Sequence, residues 1–363
     1  MERENVCKEE LKLFMIVKSV TRNFVYPMGG IEEHIYNLAV RIKSIDEIIA
    51  TKLFSDHDIE KIDNVNIRRF PFHHIGGYCY SKELREYLNS AGADIIHGHG
   101  WGSHAVLAAF SVAKNKNLPI VITPYEFYHT QFPKNVIEAF YNKTNGRKII
   151  KNSTVIAVTK LQKEFFDKFG GTVCHIPCGV DIKKYSLKKT SNFKLKYDID
   201  GDFILSIGRI SRYKRFDMII KAVSKLDEKP IIVIAGKDWG DAEQLKKIAI
   251  QKNVDIIFVG QISEPDKISA LMQAGVYVSP SQREGFGITL IEALACNTKV
   301  LATPVGIAPD LPDEFCEMFK NENELSILIE KNLNQKVDSR SFIESNYTWE
   351  FVAKKTEELY ESL

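Results

Sequence analysis

Several features that would place this sequence in a special structural class are absent. Its 363 residues contain only six cysteines, which are scattered and lie partly inside apolar runs, so we expect buried thiols in a reducing compartment rather than a disulfide framework. Cys174 and Cys178 stand close together, but no second Cys or His pair completes a zinc set. No apolar run is long enough for a membrane-spanning helix, and no signal-peptide pattern opens the chain. We therefore expect a cytoplasmic protein, or one peripheral to the inner membrane face.

The chain also lacks a strong net charge and a Walker loop. A formal net charge of +2 gives no reason to expect nucleic acid as a partner. The basic excess concentrates between Lys134 and Lys168, where eight Lys or Arg side chains face three acidic ones. This stretch is either a solvated helix face or a surface that contacts an anionic membrane or a phosphate-bearing acceptor.

What the sequence does contain is a repeated alternation of strand and helix patterns. Short apolar, β-branched runs such as "LPIVITP" and "KPIIVIAG" are followed by longer stretches of helical period. Near-continuous apolar strands are typical of parallel sheets buried on both faces. The pattern predicts an α/β protein with doubly wound sheets.

The alternation is interrupted once, by a polar and weakly patterned stretch. We predict a linker at 183–201, which separates a Rossmann-like domain at 1–182 from a second one at 202–346. The tail contains an amphipathic helix at 347–363 with no strand after it. Ligands of open α/β sheets bind beyond the carboxyl ends of the strands, so two such domains that face a cleft would both contribute loops to it.

The segment "SPSQREGFG" predicts an anion site in the second domain. It follows a predicted strand and leads into a helix that begins near Gly287. Glycines allow close backbone approach, and the first amides of a helix have no partner within it, so this turn suits an anionic group. Glu284, at the mouth of the turn, can accept hydrogen bonds from ligand hydroxyls.

Glu292 follows Glu284 after seven residues. In one helix the two carboxylates would lie ~12 Å apart, whereas the pair of a glycosidase is about 5–9.5 Å apart. Two carboxylates that hold hydroxyls at different points of an extended ligand fit better than a hydrolase pair. Simple decoration of a helix N-terminus by acidic residues remains an alternative.

Cations are expected beside this turn. "ILSIGRISRYKRF" places Arg209 just past a strand end and Lys214 in the loop before the next helix. An arginine that binds two oxygens and a lysine that acts as a point charge can together hold a pyrophosphate.

The first domain offers weaker signals. Gly30 belongs to a glycine pair before a helix, which is either a close approach to a ligand or a flexible loop. In "HGHGWGS", His97 and His99 share one strand face, but no third residue completes a metal site. The same stretch is close to a dinucleotide fingerprint, with Ser103 at its third glycine position, so an NAD-dependent oxidoreductase is a further alternative.

Taken together, these motifs resemble the retaining glycosyltransferases of the GT-B fold, family 4, which share an E-x7-E signature. "REGFGITLIEALACNTKVLATPVG" resembles that signature, and "SIGRISRYKRFDMIIKA" resembles the family's Gly-Arg…Lys segment. "CHIPCGVDIKKY" is similar to its interdomain stretch, with Cys178 where Asn is usual, and "MGGIEEHIYNLA" to its first glycine loop. The resemblance covers about residues 15 to 360.

The resemblance implies a hexosyltransferase-like enzyme that moves a sugar from a nucleoside-diphosphate sugar to a glycan, glycolipid or small-molecule acceptor. Arg209 and Lys214 would bind the diphosphate and stabilise its departure, so no cofactor and no obligatory metal is expected. Glu284 would hold hydroxyls of the donor sugar, and Glu292 would bind the ribose. The C-terminal helix would pack back on the first domain. The other substrate-binding positions implied are Gly30, Val259 near the base, and the backbone amides of Gly285, Phe286, Gly287 and Ile288.

One position departs from the family pattern. After the strand "IVIT", family members often have a His that faces the sugar, whereas this chain has Tyr125. His99 or His129 would then substitute for it, or Tyr125 would itself bind the sugar. A sugar-nucleotide hydrolase or epimerase of the same fold and a non-catalytic subunit also remain open.

Overall fold

A computed structural model describes residues 15–21, 30–51, 59–71, 73–75, 78–125, 141–185 and 192–363. The chain divides into two compact units, one formed by Met1–Gly179 with Trp349–Leu363 and the other by Val180–Thr348. Each unit contains its own largely parallel sheet with helices between successive strands. The predicted fold class of two Rossmann-like α/β domains is confirmed.

The first unit contains an eight-stranded sheet and a two-stranded ribbon. The strands are β1 (Val17–Thr21), β2 (Ile45–Thr51), β3 (Ile59–Ile62), β4 (Val65–Phe70), β5 (His73–Ile75), β6 (Tyr78–Tyr80), β7 (Ile95–His99), β8 (Ile120–Thr123), β9 (Thr154–Ala157) and β10 (Thr172–His175). The sheet order is β10-β9-β8-β7-β1-β2-β4-β3, and β5 pairs with β6. Strand β3 runs antiparallel to β4, and every other pair of neighbouring strands in the eight-stranded sheet is parallel.

Helices of the first unit begin where the sequence offers a capping side chain. Ser81, Ser103 and Thr159 each accept a hydrogen bond from the amide three residues ahead, which satisfies one of the free donors of the first turn. The predicted helix at 134–149 lies partly outside the described residues, and its described remainder opens with a π-helical turn, Asn142–Gly146. The helices are α1 (Gly30–Ala39), α2 (Lys82–Ser90), α3 (His104–Lys116), α4 (Arg147–Lys151) and α5 (Lys160–Asp167).

The second unit contains a six-stranded parallel sheet. Its strands are β11 (Phe203–Ile207), β12 (Ile231–Ala235), β13 (Ile256–Gly260), β14 (Val276–Ser279), β15 (Val300–Ala302) and β16 (Cys316–Met318). The order β13-β12-β11-β14-β15-β16 is that of a doubly wound dinucleotide-binding sheet, and its direction reverses between β11 and β14. A ligand crevice is expected beyond the carboxyl ends of these two strands.

Helices of the second unit cover both faces of the sheet's apolar strands, and Phe203, Ile204 and Leu205 of β11 are fully buried. Strand β16 and the last two helices of the unit were not predicted from the sequence. The helices are α6 (Phe193–Lys196), α7 (Phe216–Val223), α8 (Ala242–Lys252), α9 (Glu264–Gln273), α10 (Ile288–Ala295), α11 (Glu322–Asn332) and α12 (Arg340–Asn346).

The predicted linker differs from the structure in its described part. Residues 192–201 contain α6, and Phe193 is fully buried, with its amide donating to Ser269 Oγ at 3.2 Å. An aromatic side chain inside a polar stretch anchors this segment to α9. The segment therefore belongs to the second unit, which begins at Val180.

The C-terminal helix Trp349–Glu361 belongs to the first unit. Trp349 is buried, and its ring lies edge-on to His34 of α1 with 5.4 Å between the centroids. Near the end of the helix, the Tyr360 hydroxyl is hydrogen bonded to His97 Nδ1 at 2.6 Å. No helix within the described ranges has an apolar stretch of membrane-spanning length.

A substitution at Gly236 tests the close approach of β11 and β12. Gly236 has φ +147°, and a Cβ there would lie 1.9 Å from the carbonyl oxygen of Gly208. Gly201 also has positive φ, but a Cβ on it would meet nothing within 4 Å. We expect Gly201→Ala to lower the free energy of unfolding by ~1–2 kcal/mol through backbone strain. Gly236→Ala should lower it by a further ~1–3 kcal/mol through the clash, measured by urea unfolding; equal losses would contradict this account.

Candidate active site

The loops after β11 and β14 lie together where the strand order reverses. The amide of Gln282, in the loop after β14, donates to the carbonyl of Tyr213, in the loop after β11, at 2.8 Å. The Arg283 guanidinium lies over the Tyr213 ring, 4.9 Å from its centroid. These contacts fix the two loops against each other at the edge of the sheet where ligands of such folds bind.

The loops bring one predicted cation and one predicted carboxylate into direct contact. Lys214 Nζ lies 2.6 Å from Glu284 Oε1, and the two side chains are only 14% and 17% exposed. Partial burial reduces screening of this pair by solvent. Arg209, on the same loop as Lys214, is exposed. The structure therefore brings Lys214 and Glu284 together, with Arg209 a few residues away along the chain.

The glycine turn beside this pair is sterically constrained. Gly287 has φ +92° and precedes the first residue of α10, Ile288. Gly306 has φ +61°, and a Cβ on it would lie 2.4 Å from the Phe286 carbonyl oxygen. The same carbonyl accepts a hydrogen bond from the Ile307 amide at 2.7 Å. Residues 285–287 thus lead directly into the N-terminal turn of α10, a position that favours anions.

Glu292 lies on α10 in a second buried ionic cluster. Its Oε1 accepts hydrogen bonds from Tyr185 at 2.7 Å and from Lys267 at 2.8 Å. Its Oε2 is buried and has no hydrogen-bond partner among the residues that the structure describes. An unsatisfied buried carboxylate oxygen costs ~1–3 kcal/mol, and a ligand hydroxyl that donated to it would remove this cost.

The environment of Glu292 keeps the neighbouring groups in their usual charge states. Burial by itself lowers the pKa of Lys267, but the carboxylates of Glu292 and Glu264 outweigh that effect and raise it above its ordinary value. Burial, together with the same carboxylates, raises the pKa of the Tyr185 hydroxyl. Lys267 therefore stays charged and Tyr185 stays a donor at neutral pH, so both can donate hydrogen bonds to the Glu292 carboxyl group.

Val259 is the remaining predicted position of the second unit. It lies near the end of β13, the edge strand of the sheet, and is half-buried. Lys267 and Tyr185 were missed by the sequence analysis. Lys267 lies on a helix with no motif, and Tyr185 is the last residue of the family-like stretch around Cys178, for which the resemblance implied no role. No local signal therefore marks their convergence on Glu292.

His99 and Tyr125 of the first unit belong to one buried hydrogen-bond network. His99 Nε2 is bonded to Ser19 Oγ at 2.8 Å, and His99 Nδ1 to the Tyr125 hydroxyl at 3.0 Å. His97 is bonded to Tyr360 and, at 2.8 Å, to Thr123 Oγ1. Each of the four ring nitrogens is thus hydrogen bonded to a hydroxyl group, which can donate or accept. This arrangement suits neutral imidazoles.

Within the described ranges, no group of three His, Cys, Asp or Glu side chains is arranged to hold a metal ion. Gly30, also predicted as a substrate contact, is the first residue of α1, and a Cβ there would meet nothing within 4 Å. His129 lies outside the described residues.

Tyr125 follows β8 in a strained conformation. Its φ is +61°, in the left-handed region that a bulky residue rarely adopts. The side chain is buried, and burial raises the pKa of its hydroxyl well above the ordinary value. Tyr125 is thus a neutral, buried hydroxyl that is hydrogen bonded to His99.

The buried histidines predict a pH dependence for the stability of the first unit. Burial lowers the pKa of His34 and of His97 to about 3. Below about pH 6.5 the unfolded chain binds protons that the folded unit does not, so each histidine should remove ~1.4 kcal/mol of stability per pH unit. Stability is therefore full above pH 6.5 and lost as the pH falls towards 3.

His34→Phe keeps the ring contacts but removes one titrating group. Between pH 7 and pH 5 the free energy of unfolding of this variant should therefore fall less steeply than that of the wild type, by the slope that one histidine contributes. Tryptophan fluorescence during urea unfolding suits the measurement, because Trp101 and Trp349 lie in this unit and Trp239 is already exposed. A slope identical to that of the wild type would show that His34 is not held neutral.

Comparison with known proteins agrees with this geometry. Residues 28–184 match the family Glycosyltransferase Family 4, and residues 188–349 match Glycosyl transferases group 1. The chain is 25% identical over 375 residues to the GPI3 subunit of phosphatidylinositol N-acetylglucosaminyltransferase from Saccharomyces cerevisiae, covering 94% of this chain and 82% of that protein. It is 24% identical over 305 residues to phosphatidyl-myo-inositol mannosyltransferase from Mycobacterium tuberculosis, covering 76% of this chain and 74% of the relative.

Solved structures show the same fold. Anabaena HepE in complex with UDP superposes with a TM-score of 0.78 at 16% identity, covering 96% of this chain and 100% of that chain. Sucrose-phosphate synthase from Thermosynechococcus elongatus gives a TM-score of 0.75 at 17% identity, covering 96% and 98%. With a family match in each half and a doubly wound sheet in each unit, the chain belongs to the GT-B glycosyltransferases of family 4 and is a glycosyltransferase.

Proposed function

We propose that the enzyme transfers a sugar from a nucleoside-diphosphate sugar with retention of anomeric configuration, and that the second unit binds the donor. The observation that carries the proposal is the meeting of Lys214, Glu284 and the N-terminal turn of α10 where the strand order reverses. Cations and helix amides suit a diphosphate, while carboxylates suit hydroxyls.

In this proposal each charged side chain has a separate task. Arg209 and Lys214 bind the diphosphate and stabilise the negative charge that develops as it leaves, and one such donor is worth ~10²–10³ in rate. The transfer then needs no cofactor or obligatory metal. Glu284 orients Lys214 and accepts hydroxyl donors of the sugar.

The remaining positions contact other parts of the donor. Glu292 accepts from the ribose hydroxyls, for which its unpartnered oxygen provides an acceptor. Val259 lies near the base. The backbone around Gly285, Phe286, Gly287 and Ile288 faces the anionic groups.

In the first unit, Gly30 approaches the phosphates. His99 acts through Tyr125, whose hydroxyl takes the place of the family's histidine near the sugar. Because Tyr125 stays neutral, it can contribute a hydrogen bond but no positive charge.

Binding of nucleoside diphosphates tests the donor site. UDP, GDP and ADP are titrated calorimetrically, and we expect one of them to bind. Arg209→Ala should weaken that binding about 10- to 100-fold, the loss of one or two hydrogen bonds to a charged group. Lys214→Met should weaken it as well and also leave Glu284 without its counter-ion.

Arg212→Ala is the matched control, since this exposed arginine lies on the same loop, and its dissociation constant should stay that of the wild type. Unchanged binding in Arg209→Ala would refute the assignment. With a donor identified, the anomeric configuration of the product by NMR separates a retaining transferase from a hydrolase or an epimerase. Activity in EDTA should equal activity without it.

We also propose that the acceptor is lipid-linked and that the first unit contacts an anionic membrane surface. The basic patch, defined as the Lys and Arg side chains of residues 141–168, contains seven cations against Glu164 and Asp167. Helices α4 and α5 of this patch pack together through Ile150 and Phe166, which leaves most of the cations exposed. The two named relatives act, by their names, on phosphatidylinositol lipids.

Sedimentation with vesicles tests the membrane contact. Each basic residue near an anionic surface contributes ~1 kcal/mol, so Lys148→Glu combined with Lys151→Glu should lower partitioning onto phosphatidylserine vesicles by at least about tenfold. The matched control is Lys246→Glu with Lys247→Glu, the same charge change on exposed positions of α8 in the second unit. Equal partitioning onto anionic and neutral vesicles would refute the contact.

A further inference from the structure

Trp239 is an exposed tryptophan beside the proposed donor site. Its side chain, in the loop between β12 and α8, is 62% exposed. Tryptophan has the largest apolar surface of any side chain and is usually well buried. Trp239 contributes little to the core of its unit, so folding does not account for a tryptophan here.

The loop that presents Trp239 is nevertheless held firmly. The amide of Trp239 donates to the carbonyl of Ile210 at 2.9 Å, and the amide of Ile210 donates to the carbonyl of Lys237 at 2.9 Å. These bonds extend the pairing of β11 and β12 beyond both strand ends. Asp238 Oδ1 also accepts from the amides of Gly240, Asp241 and Ala242 at 2.9, 3.1 and 3.2 Å. Trp239 is thereby fixed beside the residue that follows Gly208 at the end of β11, Arg209.

The Arg209 guanidinium lies over the Trp239 ring, with 5.4 Å between its carbon and the ring centroid. Among the residues that the structure describes, the guanidinium has no hydrogen bond and no ion pair. Lys214 on the same loop differs, because its ammonium is paired with Glu284. One cation of the site is therefore held by a carboxylate and the other by an aromatic face.

The two kinds of contact leave different groups available. A carboxylate would occupy the N–H donors of a guanidinium, the groups that bind two phosphate oxygens at once. An aromatic face attracts the cation through its quadrupole and leaves those N–H donors unoccupied. Trp239 can thus restrict the orientation of Arg209 without competing with an anionic ligand.

We propose that Trp239 is a positioning residue for Arg209, and that its ring holds the guanidinium in the orientation that binds the diphosphate of the donor. This rests on the proposed role of Arg209. Trp239 itself then contacts the arginine and not the nucleotide.

A double-mutant cycle tests the proposal. The probe is whichever of UDP, GDP and ADP binds most tightly, titrated calorimetrically. Trp239→Leu, which keeps an apolar side chain but removes the ring, should weaken binding about two- to fivefold, as expected for an exposed cation–π contact. Trp239→Phe should restore binding to within about twofold of the wild type, because it keeps an aromatic face.

The coupling between the two residues is the deciding measurement. In an Arg209→Ala background, Trp239→Leu should change the dissociation constant no further, since the ring acts only through the guanidinium. The same loss in both backgrounds would show that Trp239 contacts the nucleotide itself and would overturn the positioning role. An unchanged dissociation constant in Trp239→Leu alone would overturn it too.

The single variants distinguish a failure of this proposal from a failure of the proposed function. If Arg209→Ala weakens binding while Trp239→Leu does not, only the role of Trp239 fails. If Arg209→Ala leaves binding unchanged, the diphosphate assignment fails and the role of Trp239 fails with it. Ile250→Ala removes an apolar side chain from α8 that is even more exposed than Trp239, and it should alter neither binding nor the thermal midpoint.

Discussion

The pairing of β11 with strands on both of its sides is the constraint on which the proposed donor site depends. β11 pairs in parallel with β12 on one side and with β14 on the other, so the loops that follow these three strands begin at the same end of the sheet. Gly236 permits the closest part of this pairing, because any side chain there would collide with Gly208. The loops can then present Arg209, Trp239 and the turn before α10 within one short stretch of sheet edge. A shift of β11 would displace all of these groups together.

Local charge balance follows from that arrangement. The Lys214–Glu284 pair is nearly neutral as a unit, so of the two cations proposed to bind the diphosphate only Arg209 has no carboxylate partner among the described residues. A site with two free cations would bind any phosphate strongly, including the product. In the proposed function the carboxylate that pairs with one cation also accepts sugar hydroxyls, so full binding would depend on sugar and diphosphate together, which favours the intact donor.

The sequence was informative where a residue's task is local and silent where residues converge from distant segments. Strands β11, β12, β13 and β14 were predicted because continuous apolar runs mark buried parallel strands, and the E-x7-E turn was predicted because glycine and helix-start signals lie in one segment. The cluster of Tyr185, Lys267 and Glu292 draws on three elements that no spacing rule relates. The ionic partner of Lys214 was likewise invisible, although both members of the pair were identified individually. The sequence did not mark Trp239 as a site residue, because a single exposed tryptophan belongs to no helix or strand pattern.

The polar groups of the first unit's buried network are neutral, whereas those at the strand ends of the second unit are charged. This difference bears on which part of a substrate each unit can bind. In the first unit, hydrogen bonds and the ring contact between the two histidines join His97, His99, Thr123, Tyr125 and Tyr360 in a network. Its members are all neutral at physiological pH, because burial lowers the pKa of the imidazoles and raises that of the phenols. Such a network can exchange hydrogen bonds with hydroxyl groups but cannot compensate an anion. The second unit places cations, ionised carboxylates and a helix terminus at its strand ends, which can. The charges of the second unit therefore agree with the proposed binding of the diphosphate there, and the neutral groups of the first unit suit only uncharged hydroxyls.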